Sequence, residues 1–162
     1  MTDGYYNLGA YKRRITTNSA EAQVWFDRGL NWLYGFNHAE AIKCFGTALK
    51  HDPDCPMAHW GVSYAAGPNY NLPWHLYDPQ GKAMALGAAY DAMKAANAVA
   101  DRATPVEQAL IKALAIRYPQ RTPVEDQAPW DKAFTAEMRG VFARFRGDLD
   151  VACALADAIM IE

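Results

Sequence analysis

The sequence predicts an all-α protein, and two observations carry that prediction. Thirty of the 162 residues are alanine, whereas valine and isoleucine together number thirteen. Alanine is the strongest helix former and β-branched side chains favour strands. Apolar residues also recur at spacings of three and four between Gly, Pro and Asn/Asp breakers, as one face of a helix requires. A chain of 162 residues that is 51% hydrophobic and 12% aromatic is not disordered. It fits one domain able to bury about two-thirds of its unfolded surface without a metal or a disulfide.

The elements follow in order. Residues 1–18 carry Gly4, Gly9 and several tyrosines without periodicity. They read as an N-terminal arm partly ordered by its tyrosines. Ser19 opens a first helix to about Tyr34, with Trp25, Gly29 and Trp32 on one face, and Gly35 ends it. Asn37 and Glu40 are spaced as an analogue of a capping box. They open a second helix from His38 to about Lys50, whose stripe is Ala41, Phe45 and Ala48, and Asp52-Pro53 stops it. Pro56 suits the first position of a third helix, to about Ala66.

Residues 67–81 hold three prolines and two glycines, too many for a long helix, but Tyr70, Trp74 and Tyr77 make them too apolar for a free linker. They read as an ordered loop packed by its own aromatics. A fourth helix spans about Lys82 to Ala100. Thr104-Pro105-Val106-Glu107 is a capping box with proline at the first helical position, opening a fifth helix to about Arg117. Pro119, Pro123 and Pro129 punctuate an irregular stretch. A sixth helix runs from about Trp130 to Arg146 over Phe134, Met138, Val141, Phe142 and Phe145, until Gly147. A seventh starts near Asp148 and is still running at Glu162.

The 34 residues from Ala22 to Cys55 resemble a tetratricopeptide repeat (TPR). That family's pattern wants a large residue, Leu-Gly, an aromatic, Ala, Phe, Ala and Pro at set positions. Trp25, Gly29, Trp32, Ala41, Phe45, Ala48 and Pro53 supply them, and Arg28 departs from the usual leucine. Gly29 and Ala41 are then small where two helices cross, with Trp25 and Phe45 filling the space on either side. Residues 56–100 resemble a degenerate second repeat, its turn replaced by the 67–81 loop and its second helix marked by Ala89, Met93 and Ala96. Helix pairing continues over 105–146. Gly35-Phe36-Asn37-His38-Ala39-Glu40-Ala41, Asp52-Pro53-Asp54-Cys55 and Gly67-Pro68-Asn69 also resemble the N-terminal part of longer, largely uncharacterised bacterial TPR proteins.

The resemblance implies a right-handed solenoid of antiparallel helix pairs over 19–162, with about seven helices. Helix 148–162 is left without a partner. The expectation is that the chain is part of a longer array, or that its last helix caps the array or meets a second copy in a homodimer.

The resemblance also implies a concave groove lined by the first helix of each pair. The matching positions are Gln23, Phe26, Leu30, Leu33 and Tyr34, then Met57, Trp60 and Tyr64. This surface is aromatic and apolar, and it lacks the Lys, Arg and Asn with which chaperone-binding members hold a C-terminal carboxylate. It suits an amphipathic helix or an extended apolar peptide. Equally, the 67–81 loop can fold back and plug the groove with Tyr70, Trp74 and Tyr77.

A metal site is a weaker candidate. Cys55 and His59 stand four apart at a helix start, with His38 and His75 elsewhere. Thiolate and imidazole suit zinc or copper, but the spacing follows no zinc-finger pattern. A helix N-cap cysteine and satisfied helix-end histidines explain the same residues, so the expectation is no metal and no cofactor. Asp52, Asp54, Glu125, Asp126 and Asp131 read as cap and turn carboxylates rather than acid–base groups. There is no Gly-rich phosphate loop, no G-x-S-x-G and no H-E-x-x-H, and Ser19 and Ser63 lack company that would make either a nucleophile.

Sixteen basic residues against eighteen acidic give no electrostatic footprint for nucleic acid, and Arg139, Arg144 and Arg146 read as a solvated helix face. No apolar run approaches a membrane span, and the start has no basic region followed by an apolar core. Cys44, Cys55 and Cys153, an odd number irregularly spaced, read as buried thiols in a reducing compartment. The expectation is therefore a cytoplasmic, non-enzymatic scaffold with a protein or peptide partner. The alternative is the N-terminal scaffold of a larger metal-dependent enzyme whose site is completed beyond residue 162.

Overall fold

The computed structural model describes residues 4–162; the first three residues of the arm lie outside them. Among the described residues are seven α-helices, two 3-10 turns and no β-strand.

Helix α1 (Ala20–Tyr34) starts on Ser19, whose hydroxyl accepts the Ala22 amide at 3.1 Å. Helix α2 (His38–His51) starts on Asn37, which accepts from the Glu40 amide at 3.2 Å. Helix α3 (Pro56–Ala66) has proline at its start, where no amide is missed. Helix α4 (Pro79–Ala98) begins earlier than the apolar pattern does. Asp78 caps it, accepting from the Gln80 and Gly81 amides at 3.0 and 2.9 Å. Helix α5 (Pro105–Arg117) opens on the Thr104–Glu107 capping box. Helices α6 (Ala128–Arg144) and α7 (Leu149–Ile161) complete the order, α7 starting on Asp148, which accepts from the Asp150 and Val151 amides.

Each helix packs on the next in sequence, and in addition α1 meets α3 and α3 meets α5. The α1–α2–α3 contact centres on Phe45, which is fully buried. A Cβ at Gly29 would lie 2.6 Å from its ring, and one at Gly61 would lie 2.8 Å away. The ring therefore sits between two glycines. Phe26 packs beside it, with ring centroids 5.4 Å apart. The repeat pattern puts Trp25 beside Phe45 and Phe26 in the groove; in the structure Phe26 takes the core position. Adjacent helix residues point about 100° apart, so turning α1 about its axis by roughly that much relative to the repeat pattern exchanges their roles. Trp25 instead lies half-buried under the arm, with the Tyr5 ring edge-on at 5.3 Å.

The arm is ordered by polar groups as much as by tyrosines. The Ile15 amide donates to Gln23 Oε1 at 3.0 Å, and Gln23 Nε2 donates back to the Arg13 carbonyl at 2.8 Å. The Thr16 amide and hydroxyl donate to buried Glu107 at 2.9 and 2.6 Å. Thr17 donates to Asp52 at 2.6 Å, and Arg13 Nη1 reaches Asp148 at 2.8 Å and Asp150 at 2.6 Å. One extended segment thus ties α1, α5 and α7 together. Burial pushes the Asp148 carboxyl up, but the Arg13 hydrogen bonds and charge together with the Val151 and Asp150 amides hold the group below its ordinary value.

A second ion pair lies inside the fold. Asp131, expected among the turn carboxylates, is buried in the first turn of α6 and accepts from Arg117 Nε at 2.7 Å. Arg117 is 1% exposed, stacks over Phe134 at 5.1 Å, and leaves Nη1 and Nη2 without partners. In the 67–81 loop, Trp74 is buried and packs on Tyr77 at 5.3 Å, whereas Tyr70 is exposed. Cys44 and Cys55 are buried as expected, but Cys153 is exposed, on the part of α7 that borders a cavity with α1 and α3. Among the described residues, no helix is long and apolar enough to cross a membrane.

Candidate functional site

A cavity of about 240 Å³ lies between the end of α1, the α1–α2 turn, α3 and α7. Leu33 and Tyr34 come from α1 because they follow Leu30 around its inward face. Trp60 and Tyr64, one turn apart on α3, stack with centroids 5.0 Å apart and planes 33° apart. Helix α7 contributes Asp150, Ala154 and Asp157 at the spacing of one helix face, with Cys153 and Met160 beside them.

The turn supplies Phe36, which has φ of +58°. This left-handed conformation is an outlier for a bulky side chain, and glycine or asparagine would adopt it more easily. Phe36 is held there by its amide, which donates to the Leu33 carbonyl at 3.0 Å, and by the Asn37 amide, which donates to the Trp32 carbonyl at 2.9 Å. The strain places an aromatic ring at the cavity mouth, 6.1 Å from the His38 ring.

The polar groups of the cavity are of two kinds. Asp150 is engaged on both oxygens: its Oδ1 accepts from the Tyr34 and Tyr11 hydroxyls and its Oδ2 from Arg13. Asp157 accepts from the Tyr64 hydroxyl at Oδ2, 2.7 Å away. Burial, reinforced by Asp150 and Asp157 respectively, raises the Tyr34 and Tyr64 phenols far above their ordinary value. Burial, then Asp150, raises the Cys153 thiol. Burial lowers His38 against the pull of its Phe36 carbonyl contact and of Asp157. Each of these four groups is thus moved toward its neutral form at neutral pH.

The chain matches no protein-family model, no curated protein and no solved structure. What the site can do is therefore a matter of its own walls. Of the expected groove residues, Leu33, Tyr34, Trp60 and Tyr64 converge on the cavity. Phe26, Leu30 and Met57 are buried in the core, and Gln23 is engaged by the arm. The 67–81 loop contributes nothing to the cavity; Tyr70, Trp74 and Tyr77 lie elsewhere. The metal candidates are scattered. His38 borders the cavity, His59 Nε2 lies 2.8 Å from the Pro53 carbonyl, and His75 is exposed in a 3-10 turn. Cys55 is buried, its thiol pushed up to about 11 by burial. Among the described residues, no three His, Cys, Asp or Glu side chains come together to hold a metal.

Sequence reasoning missed the contribution of α7. Its signal was present: Asp150 and Asp157 stand seven apart, on one face of an otherwise apolar helix. Arg117 was missed in the same way. It continues the Leu110–Leu114 apolar face of α5, where an unpaired charge would be costly.

Proposed function

We propose that this chain is a non-enzymatic interaction scaffold, a TPR-like solenoid of helix pairs, whose cavity between α1, α3 and α7 anchors a peptide or helix of a protein partner. The observation that carries this reading is the continuity of apolar surface from the cavity onto α7. Cys153, Ala156 and Met160 border the cavity, and exposed Leu149 extends the same helix face toward the start of α7. The volume is below the ~300–1,000 Å³ usual for small-molecule sites. It suits side chains projecting from a longer segment that lies along α7. A strained aromatic at the rim supports a binding role, because a turn selected for stability alone would use a residue at ease in that conformation.

The test is selection of peptides from a displayed library, followed by binding to Ala156→Trp and Phe36→Asn variants. Tryptophan at 156 fills the cavity mouth from an exposed position and leaves the core alone. Asparagine at 36 relieves the backbone and removes an aromatic wall. Both variants should keep or gain thermal stability and lose the selected peptides. Peptides that bind both variants as well as the wild type would refute the site.

A further inference from the structure

We infer that the partner side chain seated in this cavity is a lysine, its aliphatic stem against Trp60 and its ammonium on Asp157. The inference rests on reading the cavity as a peptide anchor. Among the described residues two carboxylates border the cavity and no lysine or arginine does. Asp150 is already engaged on both oxygens, by Tyr11 and Tyr34 on Oδ1 and by the Arg13 guanidinium on Oδ2. Asp157 has capacity: Tyr64 fills Oδ2, and Oδ1 receives no hydrogen bond from any described residue.

The surrounding charges leave that oxygen without a cation. His38 lies near enough to feel Asp157, but burial keeps its ring neutral at neutral pH. Arg117 acts on Tyr64 from inside the fold; its Nε donates to Asp131 at 2.7 Å, and its Nη1 and Nη2 make no hydrogen bond to Asp157 or to any other described residue. An incoming ammonium would therefore meet an open carboxylate oxygen at an apolar wall, where a charge-assisted bond is strong. The faces of Trp60 and Tyr64 carry negative π density and favour a cation over an anion. A single free oxygen suits the compact lysine ammonium better than the two-pronged arginine fork. An acidic side chain would face Asp157 as a like charge.

The test titrates three small probes into the whole isotope-labelled chain, reading the tryptophan indole resonances. The probes are n-butylammonium, which reproduces the lysine side chain, 1-butanol and butyrate. The expected result is that n-butylammonium shifts the Trp60 indole and binds about tenfold or more tightly than 1-butanol, with butyrate weakest. In Asp157→Asn, whose amide oxygen still accepts from Tyr64, the preference for n-butylammonium should vanish. The wild-type comparison decides the matter even where that variant fails to fold. Equal binding of n-butylammonium and 1-butanol at Trp60 would overturn the lysine and leave the apolar anchor standing. Absence of a Trp60 response to all three would overturn both.

Discussion

Substituting alanine for glycine should have opposite effects at Gly61 and Gly46, for reasons visible around Phe45. In a helix interior the change by itself stabilises by about 0.5–1 kcal/mol. At Gly46 a new Cβ meets nothing within 4 Å, so that gain should appear whole. At Gly61 the Cβ would stand 2.8 Å from three Phe45 ring atoms. The ring has no retreat, because Gly29 bounds its other side with room for no Cβ either. Overpacking of this kind costs about 1–3 kcal/mol. The net expectation for Gly61→Ala is about 1–2 kcal/mol of destabilisation. In a chain of this size that lowers Tm by about 2–4 °C per kcal/mol. Urea unfolding followed by circular dichroism measures both variants. Phe45→Leu, which removes ring atoms from the contact, should abolish the Gly61→Ala penalty, a coupling of about 1 kcal/mol or more. Equal shifts for Gly61→Ala and Gly46→Ala, or additivity with Phe45→Leu, would refute the two-glycine seat.

Asp131→Ala should cost about 3–5 kcal/mol in the same urea assay, since it strands a buried guanidinium that already has two unpartnered nitrogens. Replacing Arg117 and Asp131 together by methionine and leucine should cost less than Asp131→Ala alone. Arg13→Ala should cost about 3 kcal/mol and free the arm, seen as faster amide exchange at Ile15 and Thr16 and new proteolytic cuts there. His38 has a folded pKa below its ordinary 6.5, so between those values the unfolded chain binds more protons. Stability should therefore fall as pH drops below 6.5, and His38→Asn should remove that part of the slope; an unchanged slope would place His38 in water.

The helices were legible because their signals are local. Thr104 and Glu107 stand three apart and Pro56 sits at a helix start, and the structure realises both. The repeat resemblance marked Gly29 as small at a helix crossing, with Phe45 to one side; the structure sets the Phe45 ring directly against Gly29. The arm was legible as an arm ordered by its tyrosines, but its polar partners were not. Its partners lie far along the chain, Thr16 to Glu107 across 91 positions and Tyr11 to Asp150 across 139, and such pairings leave no local pattern. Half of the cavity was reached from the sequence, since Leu33, Tyr34, Trp60 and Tyr64 stand at groove positions that the repeat resemblance implies. Asp157 matters only because the fold carries α7 to Tyr64, 93 positions away. Phe36 was visible within a turn string, but its strained backbone is a property of the folded turn.

The most direct measurement is chemical-shift mapping of a library-selected peptide on the isotope-labelled chain. The account predicts shifts concentrated at the Trp60 indole, Leu33, Phe36, Ala154, Ala156 and Asp157, with the signals of α2 and α4 little changed. Shifts centred on α2 or α4, with Trp60 and Ala156 silent, would contradict it.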